Sequence, residues 1–148
     1  MGVDSAAGVA RTVVVVHAAF CHRLPRLALR ALVEAVRGAG EPLSVAELAR
    51  RSGKQRRSFY RHLRLTRFPP PGALLAWGRI LASSGMLDDG TASIEAVALA
   101  LGMSDGAALV HLYRHHLGIT PGEVRTSGGL AFTISALQGL MDRDMTNG

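Results

Sequence analysis

Cysteine is almost absent from this sequence, and aromatic residues make up only 5% of it. The single cysteine, Cys21, excludes an intramolecular disulfide and a zinc site built on several cysteines. The longest apolar run near the N-terminus, residues 13–20, is much shorter than the roughly 20 residues that cross a bilayer. Asp4 and the small residues around it do not suit a signal peptide. These absences favour a soluble protein of the reducing cytoplasm.

Acidic residues are missing from the most basic part of the chain. Between Arg50 and Arg67 there are eight Lys or Arg residues and no Asp or Glu, within a chain of 148 residues and net charge +6. A solvated surface helix normally mixes both signs of charge, so this segment is expected to meet an anion. All but one of the basic residues are arginine, whose planar donors match phosphates and guanine edges. The composition therefore favours nucleic acid or an anionic membrane surface over an acidic small substrate as the partner.

Helical patterning begins after Pro25 and continues through the basic segment. Apolar residues at helical spacing predict a helix from about residue 26 that stops at Gly38. Ser44 and Glu47 form a capping-box pattern that opens the next helix, and Gly53 ends it. The stretch that follows, GKQRRSFYRHLR (53–64), places two apolar residues, Phe59 and Leu63, on one face.

The same arrangement returns later in the chain. SIEAVALALG (93–102) matches SVAELARRSG (44–53) in its Ser, Ala and Gly positions, and Leu109 and Tyr113 then repeat the spacing of Phe59 and Leu63. Three prolines precede an apolar stretch that predicts a connecting helix over about 71–87. Two helix-turn-helix units joined by a long helix are the predicted architecture.

The two ends of the chain carry weaker signals. TVVVV (12–16) is β-branched and predicts a strand, for which two interpretations stay open. It could be an edge that pairs with a second copy, or it could pack on its own helix or remain disordered. The tail is expected to form at most one weak apolar helix, from Leu130 to Met141, and no function is assigned to it.

Taken together, the basic run of the first unit, GMSD (102–105) and YRHHLGITPGEVR (113–125) resemble the DNA-binding domain of the AraC/XylS family of bacterial transcriptional regulators. The resemblance covers roughly Pro42 to Arg125. It implies an all-α, homeodomain-like fold of two helix-turn-helix subdomains, here preceded by the possible short strand. The implied organisation is a short N-terminal strand and helix at 1–40, the DNA-binding domain at 42–125 and a tail at 126–148. Within the domain the first unit spans about 44–64, the connecting helix about 71–87 and the second unit about 93–117.

The resemblance also implies which side chains meet DNA. Residues 55–61 would lie in one major groove and residues 104–111 in the next, because a fixed connecting helix sets the two units about one duplex turn apart. Independently of the resemblance, phosphate neutralisation by the Arg50 to Arg67 segment should make affinity fall with salt, with a log–log slope of roughly −5 to −8 if about six to nine phosphates are engaged. The expected base-reading residues are Gln55, Arg56, Tyr60 and Asp105. The expected backbone contacts are Ser44, Arg57, Arg61, Arg64, Ser93, Ser104, His111 and Arg114.

The sequence departs from the family pattern in places. The first unit carries RLTRFPPP (64–71) instead of Leu-Gly before its proline, and the connecting helix has only Arg79 as a basic residue. Small residues at 106–108 and His111 stand where the family favours larger polar or basic side chains, so the second unit is expected to clamp more than it reads. The residues before Pro42 are too few for the usual effector-binding barrel. Either the regulator works without a ligand, or this strand and helix dock on a partner, for which a second copy of the chain is a candidate. RNA polymerase is a separate candidate partner of the regulator.

Other chemistries have weaker support. His111, His115 and His116 lack a further ligand and the glutamate of a hydrolytic zinc helix, so no metal, cofactor or catalytic residue is predicted. Asp88 and Asp89 are interpreted as turn residues. The alternative function is a degenerate helix-turn-helix module that binds another protein, and a membrane-surface binder using the basic helix is a more distant hypothesis.

Overall fold

Helix α1 (Ser5–Phe20) occupies the segment that the β-branched run predicted to be a strand. The computed structural model describes residues 5–65, 71–88 and 90–147, and these residues form helices and no strand. Val13, Val16 and Phe20 recur at helical spacing and are buried, so burial of one helical face outweighs the β preference of valine. The strand prediction was wrong, and the edge-pairing interpretation falls with it. The predictions that involve Arg67, Asp89 and residues 66–70 lie outside the described residues.

Helix α2 (Arg26–Arg37) begins directly after Pro25 and ends at Gly38, as its apolar spacing predicted. It makes its most extensive contact with α5 (Pro71–Leu87), the predicted connecting helix. Gly78 is buried on α5, and a Cβ there would lie 2.8 Å from the Ala35 Cβ and closer still to the Ala35 carbonyl oxygen. The two helices therefore touch backbone to backbone. The hydrophobic core runs without a break from α1 and α2 into the helix-turn-helix units.

The first helix-turn-helix unit consists of α3 (Val45–Arg51) and α4 (Arg56–Leu65). The turn passes through Gly53 at φ 77°, a left-handed conformation that favours glycine. The Lys54 N–H donates to the Ala49 carbonyl at 2.9 Å and so closes the end of α3. Phe59 and Leu63 are buried beneath α4, as their spacing predicted.

The second unit, α6 (Ile94–Ala100) and α7 (Gly106–Leu117), repeats this backbone. Gly102 has φ 72°, and the Met103 N–H donates to the Ala98 carbonyl at 3.0 Å. Leu109 and Tyr113 are fully buried, which confirms the internal repeat. The one extra residue of this unit falls in its turn, just before α7.

Two further helices close the fold, α8 (Pro121–Ser127) and α9 (Leu130–Asn147). The predicted tail helix is present and longer than expected, and it packs on α5 and α1. The Gln138 side chain donates to the Ala19 carbonyl at 3.3 Å, and Arg23 pairs with Asp142 at 2.5 Å. Both ends of the chain therefore join the core around the connecting helix.

Candidate nucleic-acid interface

Four arginines point outward from α4, the first recognition helix. Its buried residues, Phe59 and Leu63, fix one face against the core, so the arginines at other positions face solvent. None of the four arginines forms an ion pair with a carboxylate among the described residues. The helix therefore presents an uncompensated positive face, as the sequence predicted. The exposed arginines are Arg56, Arg57, Arg61 and Arg64.

Two of the predicted base-reading residues lie together at the start of α4. The Arg56 guanidinium sits 5.8 Å from the centroid of the Tyr60 ring, within cation–π range. Gln55 directly precedes the helix, and its carbonyl accepts the Phe59 N–H at 2.9 Å while its side chain is exposed. Gln55, Arg56 and Tyr60 therefore lie close together in the chain at the N-terminal end of α4.

The arginines of α3 form ion pairs with two glutamates that lie before the acid-free segment from Arg50 to Arg67. Arg51 donates to Glu41 at 2.7 Å and to Glu47 at 3.2 Å, and Glu47 also pairs with Arg50. Hydrogen bonds to Glu41 and then to Glu47 raise the pKa of Arg51. The Ser44 hydroxyl caps the Glu47 N–H at 3.1 Å, but the Glu47 carboxylate turns to the arginines, so the predicted capping box is realised only on the Ser44 side. Between the two helices of this unit, and within the described part of the chain, the arginines without an ion pair are therefore those of α4.

The start of α7 is fixed by two carboxylates. Asp105 accepts the Ala108 N–H at 2.9 Å, and Glu95 accepts the Gly106 N–H at 2.6 Å. Asp105, predicted to read a base, thus has a capping role, and Ser93 likewise caps α6 through the Ala96 N–H at 3.0 Å. Both carboxylates place negative charge at the helix N-terminus, where the dipole favours it.

Farther along α7 the exposed side chains are histidine and arginine. Ser104, before the helix, and His111, Arg114 and His115, on it, are all exposed. The His111 and His115 rings stack at 6.4 Å between centroids. His116 packs 6.3 Å from the buried Trp77, and burial, followed by the His115 charge, lowers the pKa of His116. Within the described residues, no group of three or more His, Cys, Asp or Glu side chains is placed to hold a metal ion.

Buried hydroxyl groups anchor α7 to the scaffold. The Tyr113 hydroxyl lies 2.6 Å from Ser83 Oγ and 2.9 Å from Ser84 Oγ, and it donates to the Ile80 carbonyl at 3.1 Å. Ser84 Oγ also lies 2.8 Å from Thr133 Oγ1, which extends the network to α9. These contacts give the two adjacent serines of α5 a structural role.

The closing segment of the second unit is held in a similar way. Thr120 and Glu123 form a reciprocal capping box at the start of α8. The Arg125 guanidinium donates to the Leu87 carbonyl at 3.1 Å and to the Ala92 carbonyl. The final arginine of the resemblance therefore ties α8 to the end of α5 and to the loop before α6.

The structure brings the predicted α4 residues together on one surface and places the second set on another helix. It also exposes Lys54, two residues before α4, which the sequence interpretation had not selected. Its position in the turn between the two helices was the available signal. Lys54 extends the positive surface of the first unit beyond the recognition helix.

Paired helices joined by a tight turn, with an exposed cationic second helix, define a helix-turn-helix DNA-binding protein. A family model described as a helix-turn-helix domain matches residues 48–127, more than half of the chain. The chain belongs to this family, and its matched region is an AraC-like helix-turn-helix domain. Neither the curated proteins nor the solved structures contained a match to the chain. Among the described residues, no helix is both long and apolar enough to cross a membrane.

Proposed function

We propose that this protein is a transcriptional regulator of the AraC/XylS type that binds specific promoter sequences. The observation that carries the proposal is the exposed, uncompensated arginine face of α4. Arginine on a recognition helix can pair with guanine edges in the major groove, while its neighbours neutralise phosphates. The family match to a DNA-binding domain supports the same conclusion.

In this proposal the first unit supplies most of the sequence recognition. Gln55, Arg56 and Tyr60 stand at the start of α4, the part of a recognition helix that meets base edges. Arg57, Arg61 and Arg64 contact phosphates on either side of the groove. Ser44 marks the start of α3, whose backbone N–H groups contact the DNA backbone in this proposal.

The second unit lies in the adjacent major groove and mainly holds the duplex. Ser104, His111 and Arg114 contact phosphates along α7, and Ser93 does so at the start of α6. Asp105 is the one proposed base-reading residue here, and its carboxylate also caps the helix. Small residues at 106–108 leave little side chain for reading, which suits a clamp.

Selection of bound sequences from a randomised duplex pool tests this function. At near-physiological salt we expect enrichment of two sequence blocks about one helical turn apart. A single enriched block would reject engagement of two grooves. Measurable binding without any enriched sequence would reject a sequence-specific regulator.

Arginine variants separate reading from holding. Arg56→Ala should cost roughly 1–3 kcal/mol of binding free energy and relax preference at one base pair, whereas Arg64→Ala should weaken binding to all sequences about equally. Fluorescence anisotropy on a panel of operator variants measures both. Uniform losses for both variants would overturn the division of roles.

A protein-binding function is the second candidate, and one surface favours it. A groove beside α1 is lined by Val9, Val13 and Val14 on one side and by Ala100 and Leu101 on the other. Val14 is 68% exposed, which is high for a valine of a packed helix. A second copy of the chain or RNA polymerase would be the candidate partners. Tight partner binding together with weak, salt-insensitive DNA binding would favour this function over regulation.

A further inference from the structure

Helix α2 carries arginines on its outer face, outside the matched domain. Arg26, Arg30 and Arg37 lie four and seven residues apart, a spacing that places all three on one side of a helix. Arg37 pairs with Glu34 at 2.9 Å. In the part of the chain that the structure describes, Arg26 and Arg30 have no ion-pair partner, and both are exposed. Two guanidinium groups on this face are therefore available to an anion.

These arginines border an open groove of about 770 Å³ that reaches the first helix-turn-helix unit. Lys54, in the turn of that unit, adds a further cation to its lining, and the His17 side chain, on α1, also lines it. Glu34 is the carboxylate in the lining, and Arg37 engages it. The groove is therefore positive in balance.

The groove is continuous with the α4 surface. A Cβ on Gly53 would lie 3.4 Å from a guanidinium nitrogen of Arg30, so Arg30 rests against the turn between α3 and α4. Lys54 follows that glycine and stands two residues before α4 begins. Positive charge thus extends from α4 through Lys54 onto α2. The residues of the turn that link α4 to Arg30, residues 53–55, include no acid.

We propose that this groove binds phosphodiester groups of the DNA that flanks the bases met by α4. The proposal rests on the proposed function, since it extends the footprint of the same duplex. Arg26 and Arg30 stand about 6 Å apart along the helix axis, because each residue adds about 1.5 Å. A DNA strand carries one charge about every 3.4 Å of its axis, so a spacing of this size suits successive phosphates of one strand. Continuity with α4 favours duplex DNA over an acidic protein segment.

The test removes both groove arginines and compares duplexes of two lengths. Arg26→Ala/Arg30→Ala is measured against wild type by anisotropy over a salt series, with duplexes of about 40 and about 20 base pairs that carry the sequence enriched in the selection at a shared centre. On the longer duplex we expect roughly tenfold weaker binding and a salt slope smaller in magnitude by about 2. On the shorter duplex the two proteins should differ less than twofold, because the flanking phosphates are missing.

Matched controls separate the groove from general charge. Arg11→Ala/Arg143→Ala removes the same charge from exposed positions outside the groove lining and should change affinity on the longer duplex by less than about threefold. Arg26→Lys/Arg30→Lys keeps the charge and should retain the wild-type slope within about 0.5. Thermal melting by circular dichroism should be the same for all variants, since both groove arginines are exposed.

The possible failures can be told apart. If wild type binds neither duplex with salt dependence, the proposed function fails and the flanking contact falls with it. If wild type binds as expected but the groove variant matches the Arg11/Arg143 control, the flanking contact is rejected while the proposed function stands. An equal loss on both duplexes also rejects it. Loss of binding to polyglutamate with unchanged DNA binding would assign the groove to an acidic protein partner instead.

Discussion

The two helix-turn-helix units have the same backbone conformation at their turns, but their side chains make different contacts. In both, a left-handed glycine, Gly53 or Gly102, is followed by an N–H that closes the preceding helix. The first unit then exposes four arginines on α4, whereas the second spends two carboxylates on fixing the start of α7. Tyr113 ties α7 to α5 and α9 through buried hydroxyls, while the corresponding place in α4 is held by the buried, apolar side chain of Leu63.

This difference teaches how one repeated unit can carry two tasks. Polar groups used for internal anchoring are not available to a ligand, so the second unit gains a fixed position and offers fewer contacts. The first unit rests on apolar packing and on the close contact between α2 and α5, which leaves the arginines of α4 exposed. In the proposed function, reading and clamping thus fall to different units according to whether the polar groups of a unit are used for internal hydrogen bonds.

The largest expected effect comes from breaking the support of the first unit. Gly78→Ala would drive a methyl group into the Ala35 backbone and force α2 away from α5. Overpacking of this kind should lower the free energy of unfolding by about 3 kcal/mol. Urea denaturation followed by circular dichroism measures the loss.

Gly72→Ala is the matched control on the same helix. A Cβ at Gly72 meets nothing within 4 Å, so the substitution should leave stability unchanged or raise it by about 0.5 kcal/mol. If Gly78→Ala proved as stable as Gly72→Ala, the contact between α2 and α5 would have to be looser than the structure describes.

The Tyr113 hydroxyl, which anchors the second unit, should contribute less to the free energy of unfolding. Tyr113→Phe removes the hydroxyl that joins Ser83 and Ser84, yet Ser83 keeps the Ile80 carbonyl and Ser84 keeps Thr133. We expect a loss of about 1–2 kcal/mol in unfolding free energy. Tyr60→Phe, on the half-buried tyrosine of α4, serves as the control and should change stability little.

The same hydroxyl makes the free energy of unfolding of the wild type fall at alkaline pH. Burial raises the pKa of Tyr113 to about 12, against about 10 in the unfolded chain. The folded state therefore holds the proton more tightly, so stability is complete below about pH 10 and declines as the pH rises toward 12. Tyr113→Phe should lack this component. Urea unfolding at pH 9, 10 and 11 compares the two proteins, and parallel curves would deny that the buried hydroxyl is the cause.

The sequence predicted the parts of the fold that local rules determine. Ser44 and Ser93 mark helix starts, and Gly53 and Gly102 mark turns, because capping and left-handed backbone depend on neighbouring residues. Residues 12–16 were misassigned because their helix is selected by burial against distant elements, which a β-branched run does not reveal.

The candidate site was predictable in one half and hidden in the other. The α4 arginines follow from the spacing of Phe59 and Leu63, which defines the buried face and hence the exposed one. The pairing of Arg51 with Glu41 depends on how the loop before α3 folds back, and a charge count over residues 50–67 cannot contain it. The contacts between Tyr113 and the serines of α5 likewise join segments far apart in sequence. Which side chains read bases remains a prediction.

The smallest effect concerns Asp105, where the comparison between the units is sharpest. Asp105→Ala should lower the free energy of unfolding by about 1 kcal/mol, because the α7 cap is lost, whereas Gln55→Ala at the start of α4 should lower it little. Asp105→Asn keeps a capping oxygen, so its urea unfolding curve should match that of wild type, but it adds a donor where the carboxylate could only accept. Sequence selection with Asp105→Asn then decides its role. A changed preference in the second sequence block would mean that Asp105 both caps and reads, while an unchanged preference would leave α7 without its proposed base-reading residue and make the second unit a clamp alone.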